Sequence, residues 1–255
     1  MPPSAKPPEG PPEGPPEGVP EGLAVPPLVL LPGMMCDARL FEHQIAPFSA
    51  ERAVQVGCLT AADTVEELAE RVLASAPATF ALAGLSMGGI VAMEIVRRAP
   101  GRVAALALLD TNPMPEPDDV AAVRAAQVER VRDGRLVEVM RDELKPNYLG
   151  DGPRRAEVLD LCMRMARSLG ADVFERQARA ITSRPDQRET LRAVAVPTLV
   201  LTGESDRLCP RERHTLMHSL IADSTLAVIP GAGHLPTLER AEATTEEMRG
   251  WLRRI

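Results

Sequence analysis

Three short stretches carry the residue types of an activated nucleophile. Gly84-Leu85-Ser86-Met87-Gly88, with Gly89 following, is a G-x-S-x-G pattern. Serine attacks a carbonyl poorly unless a base takes its proton and an acid holds that base in orientation. Downstream, Gly203-Glu204-Ser205-Asp206 offers an acid and Gly231-Ala232-Gly233-His234 a base. The order is Ser86, Asp206, His234, with room for one helix and one strand between the last two. The chemistry expected of the set is acyl transfer: attack by Ser86, proton transfer through His234, and orientation by Asp206.

Such residues need a rigid frame, and strand signals precede each of them. Ala78–Ala83 is an apolar run that ends just before the serine motif, and Met87–Arg98 behind it reads as a helix closed by Pro100-Gly101. This strand–turn–helix context is the one a nucleophile elbow requires: a sharp turn, glycines where side chains would clash, and a serine raised above the sheet. The Met87 N–H then points at the same space. The run Thr198–Leu201 precedes Asp206 and Leu226–Ile229 precedes His234, so both sit at strand C-termini, where sites gather in open α/β sheets. Further strands are expected at Leu28–Leu31, Ala53–Leu59 and Val103–Leu109. These runs are continuous rather than alternating, as in a parallel sheet covered on both faces. Thr64-Val-Glu-Glu67 is a capping box opening a helix that stops before Pro77. Further helices are expected at Arg211–Ile221 and Glu242–Leu252.

Between residues 112 and 194 the strand signals stop. Apolar residues recur at helical spacing (Val120, Val123, Val131; Leu136, Val139, Met140; Leu159, Met163; Val173, Phe174, Ile181), with breaks at Gly134, Pro146, Gly150, Gly170 and Pro185. The expected architecture is a doubly wound, mostly parallel α/β domain over residues 25–255, with a helical cap inserted at about 112–194. Residues 1–24 hold a PPEG-PPEG-PPEG-VPEG repeat with no apolar face to bury, and are expected to be a disordered tail. It reads as a spacer or as a docking arm.

The 255 residues are 45% hydrophobic, which suits one globular domain, and carry a net charge of −7. That charge, with four Phe, one Tyr and one Trp, disfavours nucleic acid as a partner. Cys36, Cys58, Cys162 and Cys209 form no metal or disulfide pattern, so a reducing cytoplasm is expected. No apolar run is long enough for a membrane span, and no signal peptide is evident.

From LLPGMM, GLSMGG, TGESD and GAGH in that order, the chain resembles the α/β-hydrolase superfamily, specifically its serine esterase-like members with a helical cap. The resemblance runs from about Leu28 to the end. It implies an oxyanion hole made by the Met87 N–H and by an N–H from the loop Pro32-Gly33-Met34-Met35, assigned here to Met34 with Met35 as the alternative. Many relatives have His-Gly where this chain has Pro32-Gly33, so the loop's hydrogen bonding differs. The implied reaction is hydrolysis of a carboxylic ester, or a similar acyl bond, of a small molecule through an acyl-enzyme, with no metal or organic cofactor. The same triad also serves C–C bond hydrolases, lactonases and perhydrolases, and a receptor-like binding protein is the non-enzymatic alternative.

Other residues compete for roles. Asp110, at the end of Val103–Leu109, and Glu204 are alternatives to Asp206; in its structural role Asp110 is expected to shape the exit into the cap through Thr111 or Asn112. His214 and His218 are expected to face solvent and His43 to be structural. Cys36 is placed to line the pocket. Met34, Met35 and Met87, with Met114, Met140, Met163 and Met165, suggest a pocket for an apolar acyl or ring group. Arg154, Arg155, Arg164 and Arg167 make the cap locally basic, either for an anionic substrate or as solvated faces.

Overall fold

A computed structural model describes residues 25–255. The PPEG repeat and the expected tail of residues 1–24 lie outside the described residues. Six strands form one wholly parallel sheet in the order β2-β1-β3-β4-β5-β6. They are β1 (Leu28–Leu31), β2 (Val54–Val56), β3 (Phe80–Leu85), β4 (Val103–Leu109), β5 (Thr198–Gly203) and β6 (Ser224–Ile229). β2 is shorter than its apolar run because it is an edge strand, while β3 continues through Leu85 to the serine itself. Strand order reverses between β1 and β3, so the loops after these two neighbours flank the switch point, where a crevice opens.

The sheet separates two cores. Val29, Leu31, Leu82, Leu106, Leu108 and Val200 face one side, against α2 (Val65–Ser75) and α3 (Met87–Arg98). Leu28, Leu30, Ala81, Ala83, Ala105 and Ala107 face the other. Successive strand residues point to opposite faces, so the alternation of large and small side chains thins one side of β3 and β4. Leu40, Phe41 and Phe48 from the α1 region (α1, Glu42–Ser49) fill that side, with Trp251 and Leu252 of the last helix. Thr64 caps α2 by accepting the Glu67 N–H at 3.2 Å, but the Glu67 carboxylate pairs with Arg71 instead of closing the box.

The chain between β4 and β5 is helical: α4 (Asp118–Arg132), a distorted run over 136–147, α5 (Arg155–Leu169), α6 (Ala171–Thr182) and the short Arg188–Arg192. Gly134 and Gly170 take positive φ at two of the breaks. On α4 the spacing of Val120, Val123 and Val131 reads as a buried face, yet only Val131 is buried; Val120 and Val123 are exposed. The sheet's remaining helices are α7 (Arg211–Leu220) and α8 (Ala241–Leu252). No helix among the described residues is long and apolar enough to cross a membrane.

Candidate active site

The turn between β3 and α3 places Ser86 at φ +56°, a left-handed conformation unusual for a residue with a side chain. Its neighbours make the turn possible. A Cβ on Gly84 would overlap the Gly88 carbonyl, and one on Gly88 would overlap the Leu31 carbonyl. The turn is held by main-chain bonds: Ser86 N–H donates to Leu109 O at 2.9 Å, and Thr111 Oγ1 donates to Ser86 O at 2.7 Å. The Ser86 hydroxyl caps no helix bond. It lies 2.9 Å from His234 Nε2, and His234 Nδ1 lies 2.9 Å from Asp206 Oδ2. His234 is 2% exposed and Asp206 8%.

Asp206 and Asp110 lie side by side but in different states. Asp206 Oδ1 accepts the Leu208 and Cys209 N–H groups at 2.8 and 3.1 Å. Burial pushes its pKa up, but the attraction of His234 and these hydrogen bonds outweigh burial and hold it below the usual carboxylate range. Asp110 is wholly buried. Its Oδ1 accepts the Gly203 N–H at 2.8 Å, while Oδ2 has no hydrogen-bond partner. Burial and the neighbouring Asp206 charge push its pKa well above the carboxylate range. The surroundings therefore favour the charged form of Asp206 against the histidine and the uncharged form of Asp110 behind it. Glu204 lies apart, exposed, with Oε2 accepting the Gly231 N–H at 2.9 Å.

The loop after β1 meets the serine from the switch-point side; a Cβ on Gly33 would come within 3.4 Å of Ser86 Cβ. The Met35 N–H is already committed, donating to Gln177 Oε1 at 2.8 Å. Gln177 Nε2 in turn donates to Leu59 O at 2.9 Å, tying α6 of the insertion to this loop. Met34 borders the cavity in front of Ser86. Across from it, Met87 is the first residue of α3 and its N–H has no acceptor within the helix.

Residues with no motif to announce them hold the histidine. Glu239 accepts three backbone N–H groups: Gly150 at 2.7 Å, Gly233 at 3.0 Å and Leu235 at 3.0 Å. His234 N–H donates to Tyr148 O at 2.6 Å, and the Tyr148 ring meets the imidazole edge-on at 5.4 Å. The insertion and the histidine loop are thus clasped together. His214 corrects its expected place at the surface: it is fully buried, accepts the Thr111 N–H at Nε2, and faces Pro210 O with Nδ1. Burial pushes its pKa down to about 4. His218 is half-buried on Ser224, and His43 lies half-buried beside Arg154.

A cavity of about 240 Å³ opens over Ser86. Met34, Met87, Ile90, Leu144 and Ile181 give it apolar walls. Cys36 does not border it. That thiol is buried in the opposite core and pushed up to about 12 by burial. Cys209 borders the cavity in its place. Of the insertion's methionines, Met140, Met163 and Met165 pack into the cores. Arg154, Arg155, Arg164 and Arg167 lie away from the cavity, the first pairing with Glu157 and the third with Asp160. A larger groove of about 730 Å³, between His43, Arg154 and Arg249, shares no residue with the Ser86 cavity. Asp206, Cys209 and His234 offer potential metal-ligating atoms within 4.8 Å of one another, but a metal there would displace the Asp206–His234 hydrogen bond.

Comparison with known proteins finds similar sequences and a similar fold. A family model described as the alpha/beta hydrolase family matches residues 28–247. The chain is 29% identical over 245 residues to a pimeloyl-[acyl-carrier protein] methyl ester esterase of Pectobacterium carotovorum, covering 87% of this chain and 92% of that protein. It is 30% identical over 251 residues to the dihydrolipoyllysine-residue acetyltransferase component of an acetoin cleaving system of Pseudomonas putida; the match covers 89% of this chain and only 64% of that protein. A thermophilic esterase from Thermogutta terrifontis superposes with a TM-score of 0.82 at 30% identity, covering 89% of both chains.

Proposed function

This chain belongs to the alpha/beta hydrolase family, and from that premise we propose that it hydrolyses a carboxylic ester of a small molecule through an acyl-enzyme on Ser86. The observation that carries the reading is the continuous relay from Ser86 Oγ to His234 Nε2 and from His234 Nδ1 to Asp206, 2.9 Å at each step. His234 takes the serine proton as Oγ attacks the ester carbonyl. Asp206, already ionised, holds the ring and stabilises the imidazolium that forms. The Met87 and Met34 N–H groups receive the oxyanion. Met34 is chosen over Met35 because Gln177 occupies the Met35 N–H. His234 then gives its proton to the leaving alcohol, and water repeats the attack on the acyl-enzyme.

The apolar walls favour a substrate with an apolar acyl or ring group, and the esterase relatives support an ester as the bond broken. We further assign residues 25–255 to one hydrolase domain, with the insertion at about 112–194 as its cap. The four free thiols support a cytoplasmic setting. The test is a p-nitrophenyl ester panel run on wild type and Ser86→Ala together. Loss of about 10⁶ in kcat on removing the nucleophile is expected. Equal activity in the two proteins would remove Ser86 from the mechanism.

A further inference from the structure

The cavity over Ser86 holds more positive charge than its own acid can answer. Arg124, Arg184 and Arg213 all border it, with Glu116 as their single carboxylate there. The Glu116 side chain is 1% exposed and both its oxygens are engaged. Arg124 grips it through Nε at 2.8 Å and Nη2 at 2.7 Å, Arg184 Nη1 adds a bond at 3.0 Å, and Thr182 Oγ1 another at 3.1 Å. Arg213, on α7, has no ion-pair partner among the described residues. Its Nη1 meets only the Met114 sulfur, at 3.2 Å. Arg184 lies beside the same residue, donating Nε to Met114 O at 2.8 Å, and its Nη2 carries no hydrogen bond. Two guanidinium groups with unused donors therefore meet at Met114 and border the small cavity that also contains the nucleophile.

A half-buried cation without an ion-pair partner at the wall of a partly apolar cavity offers an arriving anion a charge-assisted hydrogen bond. A guanidinium fork matches a carboxylate in shape and charge. Resting on the ester-hydrolase reading above, we propose that the substrate is a small ester bearing a second group, a free carboxylate, which Arg213 and the open edge of Arg184 receive while the ester lies at Ser86. The substrate is compact, since 240 Å³ falls below the usual range of roughly 300–1,000 Å³ for ligand pockets. The apolar walls take the short carbon chain between the two ends. The cavity's own arginines, rather than the basic surface around Arg154 and Arg164, supply the charge selection.

Two measurements test this separately from the chemistry at Ser86. In the first, glutarate is titrated calorimetrically into the Ser86→Ala protein, alone and with Arg213→Gln or Arg213→Lys added. Binding is expected to weaken about 10- to 100-fold with Gln, the worth of a charge-assisted hydrogen bond, and to recover in part with Lys. In the second, kcat/KM is compared for monomethyl glutarate and methyl pentanoate. Wild type is expected to favour the charged ester by tenfold or more, and Arg213→Gln to collapse that ratio chiefly through KM. Glutarate binding that is absent or indifferent to Arg213, with esters turned over without charge preference, overturns the carboxylate site and leaves the ester reading standing. Arg213-dependent glutarate binding in a protein that cleaves no ester does the reverse.

Discussion

The two walls of the cavity are built on different principles. On the sheet side, Ser86, Asp206 and His234 each follow a parallel strand, and each is held by main-chain groups: Leu109 O, the Leu208 and Cys209 N–H groups, and Tyr148 O. On the insertion side, Arg124, Arg184 and Glu116 hold one another through side chains carried on helices and connecting turns. A frame of backbone bonds is insensitive to most changes in side-chain chemistry because it barely uses it. A network of charged side chains can be rewritten residue by residue. The groups proposed for reaction thus sit on the sheet side, while those proposed for selectivity come from the insertion and, with Arg213, from α7, as expected when one fold serves many substrates.

The largest effect that would sharpen this contrast comes from the two aspartates. Asp206→Asn should lower kcat on p-nitrophenyl acetate by about 10⁴, because an amide cannot hold the histidine tautomer or answer the imidazolium. Asp110→Asn should lower it by less than about tenfold. The surroundings of Asp110 already favour its uncharged form, and the amide oxygen can still accept the Gly203 N–H. Equal losses from the two would mean that the pair shares its charge.

A second effect falls on stability. Unfolded, His214 binds a proton below the ordinary imidazole value of 6.5; folded, it resists protonation down to about 4. The unfolded chain therefore binds more protons in that window, and stability present above pH 6.5 is lost as pH falls toward 4, by up to roughly 3 kcal/mol. Melting temperatures measured across this range should fall less steeply in His214→Asn than in wild type. Parallel slopes would show that the buried imidazole does not set the acid limit.

The smallest effect tests a point where a side chain of the insertion reaches the oxyanion loop. Gln177→Ala strands the Met35 N–H and Leu59 O, so kcat should drop about tenfold with KM little changed, as the oxyanion loop loosens. A rise in KM alone would place Gln177 with the selective wall instead.

Much of the sheet side was legible from local pattern. β1, β4 and α3 span the residues their apolar runs mark, β1 between Pro27 and Pro32, and the motifs bearing Ser86, Asp206 and His234 each followed a strand signal. Little of the insertion side was. Helical spacing marks Val120 and Val123 as inward, but their burial depends on what packs against α4, which spacing does not contain. Arg124, Arg184 and Arg213 are far apart in sequence and share no motif. Only the path of the insertion over α7 brings them to one cavity, and solvated arginines elsewhere look the same in the sequence. Glu239 and Gln177 escaped for a related reason: their partners are backbone groups, which leave no mark on residue identity. His214 sits at a helical position that reads as polar surface until β4 and the turn after it are seen against it.

The clasp between Tyr148 O and the His234 amide has a consequence for timing. That amide can exchange its hydrogen with solvent only when the insertion lets go of the histidine loop. Its exchange rate therefore clocks how often the two walls part. Each parting also frees the imidazole from the Tyr148 ring, so the interval between openings bounds how long the relay stays set for attack.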